Sequence, residues 1–241
     1  MIFLADGQNG YPLAMMDSME ITIQRTGAAT AVAAKYLARP DSKSILICGC
    51  GNQGRVSIRA LSKLFSLEHV YAYDIDESQA QRFASELSGE LKIAVEITRD
   101  LGEAMKLSDI CVTCTPSSQF FLKQDYVQPG TFIAAVGADS ETKQELDPAL
   151  LVQNKTVVDI VEQSASIGEL HHAIAFDLMT KQHVHGELGE VVAGIKPGRT
   201  SPDEITIFDS TGMALQDVIA AATVYQKALG KEIGRTVHLG Q

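Results

Sequence analysis

The segment Ile45-Leu-Ile-Cys-Gly49-Cys-Gly51-Asn-Gln-Gly54 runs a short apolar stretch straight into glycines spaced Gly-x-Gly-x-x-Gly. An apolar run of this length, bounded by glycine, predicts a strand buried on both faces. Arg55 to Phe65 then carries a helical pattern, and a second apolar run, Val70-Tyr-Ala-Tyr-Asp74, ends in an acid 25 residues after Gly49. Together these parts make a physical unit. Gly49 allows a tight turn, Gly51 lets a pyrophosphate approach the backbone, and Gly54 lets the helix pack close to the strand. The N-terminus of that helix faces the phosphates. A carboxylate placed like Asp74 meets the ribose hydroxyls. The competing reading is a tight strand–helix turn that binds nothing.

Outward from this unit the pattern alternates. Apolar runs at Ile93–Ile97, Ile110–Thr115, Phe132–Val136, Thr156–Asp159 and Ile205–Asp209 follow, with helical patterns at Glu77–Leu87 and Leu101–Lys106 between the early ones. Strands separated by helices predict right-handed crossovers and a doubly wound parallel sheet, whose two halves meet above the first strand. Gly49–Gly54, Asp74, Thr115-Pro116-Ser117, Gly137-Ala138-Asp139 and Asp209-Ser210-Thr211-Gly212 each follow a strand end, the edge at which such sheets bind ligands. Ahead of the sheet, Met1–Ala5 and Pro12–Met16 flank the turn signal Asp6–Gly10 and predict a hairpin. Thr26 to Ala38 is Ala-rich and stops before Pro40, which predicts a helix. Gly212 to Leu229 predicts a closing helix.

The 241 residues suit one large domain, and 45% hydrophobic with 21% charged residues is ordinary for a globular chain. A net charge of −10 without a Lys/Arg cluster argues against nucleic acid as a partner. No apolar run reaches a membrane span and no leader pattern opens the sequence, so the expected compartment is the cytoplasm. Cys111-Val-Thr-Cys114 has the spacing of a zinc or redox pair. A continuous strand would send these two side chains to opposite faces, so Cys48, Cys50, Cys111 and Cys114 read as packing residues and no metal is expected. His171-His172 reads as a solvated pair, His183 and His185 as part of a loop or edge strand, and Glu187 and Glu190 as first-turn carboxylates of a helix.

An ordered set of motifs resembles the ornithine cyclodeaminase/mu-crystallin family. It runs through Ile21-Thr-Ile-Gln-Arg25-Thr26-Gly, Gly49–Gly54, Tyr73-Asp74-Ile-Asp76 and Thr113-Cys-Thr115-Pro116-Ser117. It continues through Ala135-Val-Gly137-Ala-Asp139, Lys143-Gln-Glu145-Leu-Asp147, Gly186-Glu187-Leu and Thr206-Ile-Phe208-Asp209-Ser210-Thr211-Gly212. The resemblance implies a Rossmann-type fold and a nicotinamide cofactor acting on a small amino or imino acid. Family activities include the lyase reaction of ornithine cyclodeaminase, alanine dehydrogenation and cyclic imino-acid reduction, and mu-crystallins also serve as binding proteins. By position, Arg25 resembles the arginine that holds the substrate carboxylate, a task that suits a bidentate guanidinium. Asp139 resembles the catalytic acid/base and a substrate contact. Gly49, Gly51, Asn52, Gln53, Gly54, Asp74, Thr115, Val136, Lys143 and Ser210 would meet the cofactor, and Thr211 the substrate. A solvated loop lysine is an equal reading for Lys143. Asp74 has no arginine directly after it, and a 2′-phosphate would be repelled there, so NAD is expected over NADP.

The resemblance also frames the domains. Residues 1–24 are expected to be the remnant hairpin of a second, substrate-binding and dimerisation lobe, 25–212 the NAD-binding Rossmann domain, and 213–241 a C-terminal helix and tail. Family members carry more of that lobe, including an arginine and a lysine for the substrate that Lys35 and Arg39 do not match. The chain is expected to be either a fragment or a natural short form. The two functional expectations are an NAD-dependent amino- or imino-acid enzyme, working as a homodimer, and a nucleotide-binding protein without catalysis.

Overall fold

A computed structural model describes residues 1–237 and groups them into two units, Met1–Arg25 with the segment from Met213, and Thr26–Gly212. In the first unit, β1 (Ile2–Ala5) and β2 (Pro12–Met16) pair antiparallel, with Leu4 opposite Ala14. The expected turn joins them: Asp6 Oδ1 accepts the Gln8 and Asn9 N–H groups, and Gly10 takes the left-handed φ of 73°. Helix α1 (Met19–Leu37) starts in this unit and ends in the other.

The start of α1 differs from the expectation. The helix opens at Met19 rather than Thr26, so Arg25 lies inside it rather than before it. Asp17 accepts the Met19 N–H at 2.9 Å, Glu20 occupies the first turn, and Gln24 reaches back to Glu20. The β-branched run Ile21-Thr-Ile and Gly27 lower local helix propensity. Packing overrides it: a Cβ at Gly27 would lie 2.8 Å from Val56 Cγ2, so the bare backbone is what lets α1 approach the next helix.

The second unit is built on β3 (Ser44–Cys48), α2 (Asn52–Leu61), β4 (His69–Tyr73), α3 (Glu77–Leu91), β5 (Val95–Ile97), α4 (Leu101–Lys106), β6 (Ile110–Thr113) and β7 (Phe132–Ala135). It continues with α5 (Pro148–Gln153), β8 (Lys155–Val158), α6 (Val161–Ile167), α7 (Glu169–Ala175), β9 (Gly186–Glu187), α8 (Leu188–Val192) and β10 (Thr206–Asp209). Helix α9 (Ala214–Gly230) belongs to the first unit; Gly212, expected in it, lies outside with φ 77°.

The sheet is parallel throughout, in the order β5-β4-β3-β6-β7-β10-β8-β9. Its first five strands follow the doubly wound order. The last strand, β10, then inserts between β7 and β8, with Ile207 beside both Ile133 and Thr156. Alternation sorts the side chains into two layers. Ile45, Ile47, Ile110, Val112, Phe132, Ala134 and Phe208 pack under residues of α1, α2, α3 and α8. Leu46, Cys48, Cys111, Ile133, Ala135 and Ile207 pack with α4, α5 and α7. Both faces are thus covered by helices, as an all-parallel sheet requires. The four cysteines are free thiols, three of them fully enclosed. No helix among the described residues is long and apolar enough to cross a membrane.

Helix α2 lies tight against β3 in this unit. A Cβ on Gly54 would overlap the Gly49 carbonyl and sit 2.9 Å from Ile47 Cγ2. Replacing Gly54 with alanine should therefore push the helix off the strand and cost about 1–3 kcal/mol, read as a fall in urea midpoint with unchanged slope. A midpoint equal to wild type would show that the helix yields freely.

Candidate active site

Because every strand of the sheet runs the same way, all its C-terminal ends open on one edge. At β3, Gly49 takes φ 102° and its N–H donates to Tyr73 O at 2.9 Å. A side chain there would run into the Cys114 carbonyl at 2.7 Å. Gly51 caps α2 without a side-chain hydrogen bond, and a Cβ on it would meet nothing within 4 Å. The first turn of α2 has no acid, and Asn52 is exposed. These N–H groups form an open, electropositive cradle of the kind that takes phosphate. Gln53 lies half-buried beside it, with its Oε1 buried and unpartnered.

Asp74 closes the turn from the next strand end. Its Oδ2 accepts the Cys50 N–H at 2.8 Å and its Oδ1 the Asp76 N–H at 2.9 Å. It therefore shapes the glycine turn as well as presenting a carboxylate. Asp76 is a helix cap: its Oδ1 accepts the Ser78 N–H at the start of α3. Cys114 also serves this turn, its thiol donating to the Cys48 and Gly49 carbonyls at 3.3 and 3.1 Å. Cys114 lies past the end of β6, so Cys111 and Cys114 part company, the former into the core. Burial pushes the Cys114 and Cys48 thiols well up, and Cys50 to about 12, which makes all three poor nucleophiles.

The ends of β6 and β7 meet on one buried carboxylate, Glu145. Its Oε1 accepts the Thr115 N–H and hydroxyl at 2.6 and 2.7 Å, and its Oε2 the Thr113 hydroxyl and Gly137 N–H at 2.7 and 3.0 Å. Two residues past Gly137, the half-exposed Asp139 pairs through Oδ1 with Lys143 Nζ at 2.6 Å. The Lys143 carbonyl bonds His172 Nε2 at 2.7 Å. His172, expected to be solvated, thus pins the loop. Val136 is half-buried and donates to Thr113 O.

At the β10 end, Asp159 Oδ2 accepts the Ser210 hydroxyl at 2.9 Å and the Gly212 N–H at 2.7 Å. Gln163 Nε2 donates to Thr211 Oγ1 at 3.0 Å. Asp209 itself turns inward: its two oxygens accept the N–H groups of Glu169 and Leu170, the first residues of α7. Glu169 in turn accepts the N–H groups of Glu145 and Leu146 at 2.7 and 3.2 Å. Three buried acids are thus linked through backbone. Burial raises Glu145, against its four donors; burial, then Asp209 and Glu145, raises Glu169 well above the usual range. Burial lifts Asp209 to about 7, against its two N–H donors.

The structure therefore brings Gly49, Gly51, Asn52, Gln53, Gly54, Asp74, Thr115, Val136, Asp139, Lys143, Ser210 and Thr211 to the strand-end edge of one unit. Arg25 belongs to the other unit, where it bonds Asp217 Oδ1 at 3.3 Å and Gln216 Oε1 at 3.2 Å. The supporting residues Asp159, Gln163, Glu169 and His172 carry no short-range signal, because their partners lie 29 to 53 residues away in most of these bonds. Among the described residues no group of three His, Cys, Asp or Glu is placed to hold a metal ion.

A parallel doubly wound sheet with an open glycine cradle and an acid on the neighbouring strand end defines a dinucleotide-binding protein. Residues 1–232 match the ornithine cyclodeaminase/mu-crystallin family, and the chain belongs to it. Three solved structures share the fold. The Δ1-pyrroline-2-carboxylate reductase of Thermococcus litoralis, in complex with NADH and L-proline, is 37% identical with a TM-score of 0.95. An archaeal alanine dehydrogenase dimer with bound NAD is 42% identical with a TM-score of 0.95. The iminosuccinate reductase of Paracoccus denitrificans, in complex with NAD+, is 38% identical with a TM-score of 0.93. The matches cover 98%, 99% and 98% of this chain, and 73%, 73% and 72% of those chains.

Asp209 generates a pH prediction. Its folded value of about 7 lies above the ordinary 3.8, so the folded state holds a proton that the unfolded chain releases. Its contribution to stability is complete below about pH 4 and is lost as pH rises toward 7. Urea unfolding across that range should show wild type losing ground to Asp209→Asn, with a level difference above pH 7. A difference that stays constant from pH 4 to 7 would mean Asp209 is ionised throughout.

Proposed function

We propose that this chain is an NAD-dependent enzyme that transfers a hydride at the α-carbon of a small amino or imino acid. The observation that carries the reading is the shared edge: the glycine cradle at β3 and the Asp139 loop at β7 lie on the same side, two strand spacings apart. That is roughly 10 Å, a span suited to a nucleotide whose phosphates sit on α2 and whose reactive end reaches toward β7. The three relatives support the class of substrate, since their names concern alanine, iminosuccinate and pyrroline-2-carboxylate, and their complexes contain NAD or NADH.

The residues present fit NAD. Gly51 leaves the cradle open, the Asn52 and Gln53 side chains flank it, and Asp74 keeps a carboxylate where a ribose would lie. A 2′-phosphate at that point would face Asp74 and Asp76. When bound, NAD takes or returns the hydride. Asp139 holds or moves the proton at the substrate nitrogen or at attacking water, with Lys143 paired to its Oδ1. Thr115 fixes the β6 end against the cofactor, and Ser210 and Thr211 are set by Asp159 and Gln163. For Arg25 we propose a bidentate hold on the substrate carboxylate, in exchange with Asp217. We further propose a cytoplasmic homodimer. The dimeric archaeal relative supports this, as do the exposed Phe3 and Met15 of the hairpin.

Two measurements test the reading. NADH should bind saturably and more tightly than NADPH, and Asp74→Ser should narrow that preference; equal binding of both by wild type would remove Asp74 from cofactor selection. Asp139→Asn should keep NADH affinity and lose turnover on an amino- and imino-acid panel by about 10²–10⁴-fold. Retained turnover would remove Asp139 from the mechanism, and NADH binding without turnover in wild type would favour a binding protein.

A further inference from the structure

Glu145 uses every polar atom it has. Its N–H goes to Glu169, its carbonyl accepts the Phe121 and Leu122 N–H groups at 3.0 and 3.1 Å, and its carboxylate takes four donors. It is fully buried, and among the described residues its hydrogen-bond partners are backbone N–H groups, hydroxyls and another acid. Burying a charge this way contributes little net stability against an apolar packing of the same volume. What it does provide is placement. The Glu145 carboxylate closes the loop Gly137–Glu145 at its first residue, so the segment carrying Asp139 and Lys143 is tied at both ends by one side chain. The same carboxylate fixes Thr115 at the neighbouring strand end.

We infer that Glu145 is a positioning residue, which sets the Asp139 loop and the Thr115 strand end in register with each other, and that Glu169 and Asp209 hold it in place. The inference rests on the proposed roles of Thr115 and Asp139 for its functional consequence, and on geometry alone for the register. The donor arrangement explains why a carboxylate is needed. Each oxygen faces one backbone N–H and one hydroxyl. A hydroxyl can rotate to accept from an amide, but a backbone N–H cannot. A glutamine in either flip would therefore turn its NH2 on the N–H of Thr115 or of Gly137, and release one of the two.

Glu145→Gln is the test, with Thr113→Val as the control. Thr113 donates to the same carboxylate from within β6, so its loss weakens the cluster but leaves both strand-end N–H bonds. Amide hydrogen exchange on the ligand-free chain, compared at equal distance below each Tm, should rise at least tenfold in residues 115–117 or 137–143 of Glu145→Gln, and stay at the wild-type level there in Thr113→Val. Binding of NADH, followed by its fluorescence, should weaken at least tenfold in Glu145→Gln alone. Exchange that rises equally in both variants, or spreads evenly over the sheet, overturns the inference, as does wild-type exchange in Glu145→Gln. If wild type binds no NADH, the nucleotide reading fails while the exchange result still decides the role of Glu145. Should Glu145→Gln not fold, Glu169→Gln takes its place. It should loosen 137–143 by a smaller factor, and an unchanged loop overturns the inference.

Discussion

The distance between α2 and β3 is set by the contact of Gly54 with the Gly49 carbonyl, and the nucleotide half of the molecule depends on it. At that distance the N-terminus of α2 follows directly on the turn, and the space around Gly51 is open. A larger residue at position 54 would lift the helix, and the cradle would lose its floor. Asp74 then trims the turn from the side by accepting the Cys50 N–H, and the Cys114 thiol supports it from beneath. Shape here is enforced mostly by backbone and by what glycine lacks.

A different economy governs the other half of the edge. There the strand ends are held by acids that accept backbone N–H groups: Glu145, Glu169, Asp209 and Asp159. Each spends desolvation to hold a direction. By contrast, Arg55 and Arg59 on α2 pair with Glu86 and Glu90 on α3 toward solvent, where water screens the attraction. The chain is acidic both inside and out, but the two sets do different work. The surface acids are screened by solvent, while the interior ones accept backbone N–H groups and hydroxyls.

How much of this could be read in advance depends on the range of each signal. Strands β3, β4, β6 and β7 and the glycine turn are written in consecutive residues, so they were legible. So were the hairpin and the ends of α4, where Asp100 caps and Lys106 closes. The insertion of β10 between β7 and β8 was not legible, because its strand looks like any other buried run and only pairing decides its place. β9 is two residues long and has no periodicity to find. The extra turns of α1 were hidden by β-branched residues whose cost is repaid by packing. Among the proposed site residues, the glycine turn and Asp74 are singled out by spacing, and Asp139 and Arg25 only by family resemblance. Glu169 and Asp159 were missed as site residues, since an acid that accepts a distant N–H looks in sequence like any surface acid.

The loop that carries Asp139 has one more consequence. Its hydrogen-bonded foundation lies at Gly137, Lys143 and Glu145, while Glu141 and Thr142 at its tip face solvent. Scaffold and tip are therefore separable for selection. Substitutions at 141 and 142 can alter what the loop meets without disturbing how it is anchored. The same backbone can thus present different chemistry at its tip while its anchorage at Gly137 and Glu145 stays the same.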